Sequence, residues 1–379
     1  MPYWRLSGYY FFYFAALGAL VPFWGLYLQS QGFGALAIGQ LMAILMATKV
    51  VAPPLWGWLG DHLGHRMRIV RLASLASALV FGGMFWAEGF WPIALVMILF
   101  SFFWNASLPQ FEVVTFTYLA ERVARYARIR VWGSIGFILT VMLLGVLVDA
   151  RGAAVVLPAV LVIYVGIWLS TLLVRDPAPQ PHPEAQPSIL TVLRRPAILA
   201  FFGAVFFMQM GHGAYYAFYT IYMEDHGYSK TLIGQLWALG VLAEVALFLV
   251  MHRLLARWGG RRVLVASLLV AALRWVVIGL FPSSLALMLL AQLMHAATFG
   301  TFHAAAIHLV HHYFRGRHQG RGQALYSSLS FGAGGALGSL SSGMTWDALG
   351  ATQTFLIASG ISVVGALLAW RYIDRAHDY

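Results

Sequence analysis

Long apolar runs dominate this chain and leave it few choices of fold. They lie near residues 7–29, 36–59, 69–87, 91–119, 129–148 and 154–174, then near 196–223, 232–252, 262–281, 284–311, 321–343 and 350–371. About 20 apolar residues in a helix cross the roughly 30 Å hydrocarbon layer of a bilayer. Inside that layer each backbone N–H and C=O must find its partner within the segment, so runs of this kind are helices. Only 10% of the residues are charged and 61% are hydrophobic, whereas a soluble domain carries about 25% charged residues. The expectation is an all-α membrane protein of twelve transmembrane helices in the lipid bilayer.

The basic residues give this map an orientation. Loops on one side would hold Arg5, Arg66, Arg68, Arg71, Arg122, Arg125, Arg128, Arg130, Arg175, Arg194 and Arg195. In the second half the same side would hold Arg253, Arg257, Arg261, Arg262, Arg315, Arg317, Arg321, Arg371 and Arg375. Of the 24 basic residues only Arg151, Lys230, Lys49 and Arg274 fall elsewhere. Such a bias marks the cytoplasmic side, which would place both termini there. The net charge of +11 is thereby accounted for. It is spread over short loops and forms no single patch, which argues against a nucleic-acid partner. The first apolar run follows Met1–Ser7 with no small-residue cleavage site at a suitable distance, so it is expected to be a retained span. The chain has no cysteine, hence no disulfide and no thiolate chemistry.

The stretch 175–195, RDPAPQPHPEAQPSILTVLRR, is rich in proline and suits water better than lipid. It divides the chain into residues 1–174 and 196–379, each with six spans, and the two halves repeat. Tyr27, Gly32 and Ile38-Gly39-Gln40-Leu41 recur as Tyr222, Gly227 and Ile233-Gly234-Gln235-Leu236, 195 positions further on. Gly64-His65-Arg66 recurs as Gly259-Gly260-Arg261, and LVDARGA around Asp149 as TWDALGA around Asp347. Matches in register with equal span counts point to two parallel six-helix bundles, an architecture that places a transport site near the bilayer midplane between them.

Ionisable side chains at membrane depth are costly and need a reason. In the second half these are Glu244 in span eight, Arg274 in span nine and His295 in span ten. A desolvated Glu244 is neutral when protonated and can pair with Arg274 when ionised, so it is a proton-coupling candidate, with His295 beside it. In the first half Lys49 lies next to Pro53-Pro54 and would attract an anion, although its long stem also permits snorkelling to the interface. Glu112 and Asn105 share a helix face seven residues apart, with Pro109 between them; Glu112 is a second proton-coupling candidate and Asn105 a substrate-binding one. Arg130 opens span five and would face Glu112 or the cavity. In span seven His212, Tyr216 and Tyr219 recur at spacings of four and three and offer rings with polar tips to a flat ligand. Gln209 is a weaker member of that group, and Tyr222 reads as part of an interfacial aromatic belt. In the Gly57–Arg71 loop, Asp61 would cap a helix start and pair with arginines such as Arg66, a gating arrangement. His308, His311 and His312 have no enclosed geometry and are not expected to bind a metal.

The loop GWLGDHLGHR resembles the G-x-L-x-D-x-x-G-x-[RK] motif of the major facilitator superfamily, with His62 and His65 in place of basic residues. YARIRVWGSIGF from Tyr126, HGAYYAFYTIYMEDHGYS from His212, LWALGVLAEV up to Val245, LRW at Leu273 and LMHAATF at Leu293 resemble its phenylpropionic acid permease branch. That branch is akin to lactose permease and to nucleoside–proton symporters. The resemblance implies proton coupling through Glu244, Arg274 and His295. Lactose permease has a further carboxylate three residues beyond its histidine; Thr298 stands there in this chain, a departure from the sugar-transport pattern. Together these readings predict a monomeric secondary transporter, not an enzyme, in a bacterial inner membrane. It needs no cofactor besides the coupling proton. Its expected activity is proton-driven uptake of a small aromatic or other organic acid, the carboxylate held by Lys49 or Arg274. The alternatives are sugar or nucleoside symport, and efflux.

Overall fold

The computed structural model describes residues 2–120, 122, 125–176, 193–315 and 318–374. Most of the expected linker (177–192) and the basic residues Arg317 and Arg375 lie outside the described residues. Those described are helical and contain no strand. The helices of the first half are α1 (Tyr3–Ser30), α2 (Ala35–Leu63), α3 (Arg66–Phe85), α4 (Phe90–Leu119), α5 (Tyr126–Arg151) and α6 (Ala153–Leu172). Those of the second half begin with α7 (Pro196–Asp225), α8 (Lys230–Phe248), α9 (Met251–Leu280) and α10 (Leu285–Tyr313). Then comes α11, a continuous run made of Gln319–Ser327, a π-helical segment Ser328–Gly334 and Gly335–Leu349. Last is α12 (Ala351–Tyr372). Apart from the Gly- and Ser-rich α11, all are long and apolar enough to cross a bilayer. The start of α9 lies well before the expected residue 262. Met251–Trp258 forms a helical approach that Gly259, at φ +71°, sets at an angle to the span.

Two compact units are present. The first contains residues 1–33, 48–182 and 229–238; the second contains 34–47, 183–228 and 239–379. The beginning of α2 thus joins the second unit and the beginning of α8 joins the first. Within the first unit α1 packs on α5 and α6, and α3 packs on α4 and α6. Within the second, α7 packs on α11 and α12, and α9 packs on α10 and α12. The same pairing at equivalent positions is the sequence repeat expressed as structure.

Glycine explains the repeated motifs. Gly32 and Gly227 adopt φ of +86° and +84°, and Gly64 and Gly259 adopt +67° and +71°. Side chains with a Cβ strongly disfavour this left-handed region, so the matched turns retain glycine. Close helix contacts need it too. A Cβ on Gly136 would lie 2.1 Å from the Phe11 carbonyl oxygen at the α1–α5 contact. One on Gly338 would lie 2.3 Å from the Met210 carbonyl oxygen at the α7–α11 contact. In lipid, where apolar surface alone does not drive helices together, such backbone approach supplies much of the packing.

The repeated aspartates have equivalent tasks. In the first unit Asp149, at the end of α5, accepts hydrogen bonds from the backbone of Lys230 (2.9 Å) and Thr231 (2.7 Å) and from the Thr231 hydroxyl (2.6 Å). It therefore caps the start of α8. In the second unit Asp347, at the end of α11, accepts from the Leu36 backbone at 3.0 Å and caps α2. Each carboxylate satisfies donors that a helix start leaves unpaired. Tyr222 does not stand in an interfacial belt: it is buried, and its hydroxyl donates to the Gly279 carbonyl at 3.0 Å.

Candidate functional site

The second unit gathers three of the expected residues around Arg274. This side chain projects from the second half of α9 and is fully buried. Its Nε donates to the Ala291 carbonyl at 2.8 Å. Nη1 donates to His295 Nδ1 at 3.1 Å and to Thr298 Oγ1 at 3.2 Å, and Nη2 to Gln292 Oε1 at 3.3 Å. The guanidinium carbon also lies 4.2 Å from the Tyr215 ring centre and 4.9 Å from that of Trp275, an arrangement that stabilises a cation. The Tyr215 hydroxyl donates to Gln292 Oε1 at 2.9 Å.

Glu244 approaches from α8, with Oε2 3.8 Å from His295 Nε2. Its side chain keeps 16% of its surface exposed, against 8% for His295. Helix α10 changes to π geometry over Ala296–Thr301, directly after His295. Such bulges are frequent at functional sites because they re-aim side chains. Glycine brings the helices close enough for the contact. A Cβ on Gly300 would lie 2.8 Å from Glu244 Cγ, and one on Gly240 would lie 3.3 Å from the His295 Cβ.

The aromatic face of α7 borders this cluster. His212 interrupts the helix, is buried, and meets Trp275 edge-on at 4.8 Å and Tyr216 at 5.5 Å between ring centres. Tyr219 is buried and packs on Tyr215 at 4.9 Å; Tyr215, which lies between His212 and Tyr219 along the helix, is the residue that touches Arg274. Gln209 is also buried. The sequence reading singled out neither Tyr215 nor Gln292, and it noted Thr298 only as a departure. Gln292 precedes His295 by three positions and so shares its helix face. That spacing was the available signal.

The first-unit candidates form smaller groups. Asn105 Nδ2 donates to Thr48 Oγ1 at 2.9 Å, and Thr48 donates to Ser101 Oγ at 2.9 Å, tying α2 to α4. Lys49 is the next residue along. It is half-buried, and its side chain makes no hydrogen bond or ion pair with the described residues. Glu112 accepts from the Tyr126 hydroxyl at 2.8 Å, while the Arg130 guanidinium lies 3.6 Å from the Phe14 ring centre.

At the α2–α3 turn Arg66 pairs with Asp61 and donates through Nη1 to Gln110 Oε1 at 2.5 Å; Gln110 in turn donates to the Trp56 carbonyl at 3.0 Å. The expected pairing of Asp61 with a loop arginine is thus present, but the helix cap comes from elsewhere. Asp61 lies in the last turn of α2, and the backbone of Met67 at the start of α3 donates to Asp176 at 3.0 Å.

Repeated helical halves with ionisable side chains buried within the spans are the build of a multi-pass secondary transporter. Residues 3–357 match the sequence model of the MFS_1 like family. The chain belongs to that family, within the major facilitator superfamily. It is similar to a protein of Escherichia coli K12 named for 3-phenylpropionic acid transport, 30% identical over 362 residues, which are 90% of each chain. It is also similar to the maltose permease of Geobacillus stearothermophilus, 26% identical with 95% of this chain and 92% of that one covered. A third relative is the E. coli K12 protein YegT, named for nucleoside transport, 25% identical with 76% and 70% covered. The crystal structure of the nucleoside transporter NupG has the same fold, with a TM-score of 0.80 at 20% identity over 99% of this chain and all of that one.

Proposed function

We propose that this protein takes up a small, neutral, ring-bearing solute of the nucleoside or sugar class together with a proton, across a bacterial inner membrane with both termini inside. The observation that carries the reading is the state of Arg274. Its guanidinium has four acceptors from the chain itself, lies against two aromatic rings and is fully buried. A substrate carboxylate would have to displace those contacts. Glu244 is the more exposed of the carboxylate–imidazole pair, and it is assigned as the group that takes up and releases the proton. His295 carries the effect to Arg274. Ring stacking and hydrogen bonding by His212, Tyr216 and Tyr219 suit a flat, polar solute. The names of two relatives, for maltose and nucleoside transport, agree with a neutral cargo. Asp61, Arg66 and Gln110 are assigned to the gate.

A specific observation favours a second reading, uptake of an aromatic acid such as a phenylpropionate. Lys49 is a half-buried cation with no partner among the described residues, near the polar Asn105–Thr48–Ser101 chain. One relative is named for such a substrate. A single proteoliposome assay separates the two. Uridine, maltose and 3-phenylpropionate are offered with and without an inward proton gradient. Gradient-driven accumulation of uridine or maltose supports the first reading. Accumulation of phenylpropionate alone, lost in Lys49→Gln, replaces it with the second. A transported compound indifferent to the gradient would remove proton coupling from both.

A further inference from the structure

We propose that the second unit carries a phosphate-binding site at the cytoplasmic end of its helices, separate from the transport cluster. A cavity of about 470 Å³ opens there, lined by Arg195, His312, Tyr313, Arg315, His318 and Asp374 together with the first turn of α7. Three separate parts of the chain converge on it. Arg195 precedes Pro196 at the start of α7, His312 and Tyr313 end α10 with Arg315 and His318 after it, and Asp374 follows α12.

The lining is rich in donors. Two guanidiniums, two imidazoles and a phenol face the space against one carboxylate; the two arginines and the aspartate are exposed, and His312, Tyr313 and His318 are partly buried. Arginine presents a planar fork that matches the oxygens of a phosphate and never loses its charge. The Nδ1 atom of His318 is buried and makes no hydrogen bond with the described residues. The α7 start adds to this, because Arg195 forms no side-chain cap there and Ala197 and Ile198 of the first turn line the cavity. The volume is within the range of small-ligand sites and exceeds what a halide needs.

The level of the cavity narrows the choice of ligand. Arg195 and Arg315 belong to the loops whose basic excess marks the cytoplasmic side. Basic pockets between transmembrane helices on that side receive the headgroups of anionic lipids. The ligand chemistry is therefore a phosphate group, contributed either by a phospholipid headgroup or by a soluble phosphate.

The test uses the purified full-length protein in neutral maltoside micelles. Thermal unfolding is followed by tryptophan fluorescence while dioleoylphosphatidylglycerol, dioleoylphosphatidylcholine or inorganic phosphate is titrated at constant ionic strength. Protection by phosphatidylglycerol but not phosphatidylcholine assigns the site to a lipid headgroup. Protection by inorganic phosphate alone assigns it to a soluble phosphate. In either case Arg195→Gln combined with Arg315→Gln weakens the response about tenfold or more, as expected for lost charge-assisted hydrogen bonds. Arg195→Lys combined with Arg315→Lys keeps the charge without the fork and retains part of the response. Arg253→Gln combined with Arg257→Gln, which removes two basic residues that do not line the cavity, leaves it intact. No protection by any probe, or an equal loss in the Arg253/Arg257 variant, overturns the proposal.

Discussion

Arg274 Nη1 donates to His295 Nδ1 at 3.1 Å, and this one bond decides which nitrogen of the imidazole can address Glu244. A guanidinium has no acceptor, so Nδ1 must accept and the proton of a neutral ring sits on Nε2. Nε2 is the atom 3.8 Å from Glu244 Oε2. The histidine is thus oriented as a donor toward the carboxylate when Glu244 is ionised. Glu244→Gln removes the proton site but keeps shape and polarity. Accumulation driven by a pH gradient should be lost while exchange of labelled for unlabelled solute continues. Unchanged accumulation in proteoliposomes would take Glu244 out of the proton path.

Arg274 also holds the fold of its unit together. Arg274→Met would leave the Ala291 carbonyl, His295, Thr298 and Gln292 without their shared donor. Leaving a buried acceptor without its donor costs about 1–3 kcal/mol. Thermal unfolding of the purified variant should begin at a clearly lower temperature. Arg274→Lys should recover only part of the loss, because a single ammonium cannot reproduce the fork.

Gly300 gives Glu244 its room. A Cβ at this position would lie 2.8 Å from Glu244 Cγ, so Gly300→Ala must move the carboxylate away from its present place near His295. Glu244 has a flexible stem, so the protein should still fold. The expected change is in coupling: the pH dependence of uptake shifts while the yield of folded protein stays near wild type. A pH profile identical to wild type would mean that the carboxylate does not depend on this clearance.

The two aspartate caps should differ in weight. Asp149 receives three hydrogen bonds at the start of α8, whereas Asp347 receives one at the start of α2. Replacing a capping carboxylate by alanine typically costs about 1 kcal/mol. Asp149→Ala should therefore lower the thermal midpoint more than Asp347→Ala does. The reverse order would show that the bonds at Asp149 are offset by solvent.

Gln110 links the α2–α3 turn to α4 by accepting from Arg66 and donating to the Trp56 carbonyl. Gln110→Ala leaves Arg66 with Asp61 alone and removes the side-chain bond to the Trp56 carbonyl. If this turn gates the carrier, maximal transport rate should change while the half-saturation concentration holds. A change confined to half-saturation would place Gln110 in solute binding.

By itself the sequence determined the helices, the repeat and the identity of the buried charges. Hydrocarbon length and backbone satisfaction force apolar runs of this size into helices, and a charged side chain stands out against such a background. The matched Gly32 and Gly227, Gly64 and Gly259, and Asp149 and Asp347 were legible because turns and caps impose their residue types locally. Glu244, Arg274 and His295 were legible for their cost in lipid.

Only the tertiary structure decided what those charges face. Arg274 could have met a solute or the protein. Gln292, Thr298, Tyr215 and the Ala291 carbonyl meet it, and ordinary polar or aromatic residues like these give no signal in a single sequence. The cap at the start of α3 likewise comes from Asp176, more than a hundred residues downstream of Asp61. Hydrogen bonds between distant segments depend on how helices are rotated against one another. That rotation is set by close backbone contacts such as Gly136 on Phe11, which a linear pattern of apolar residues does not record.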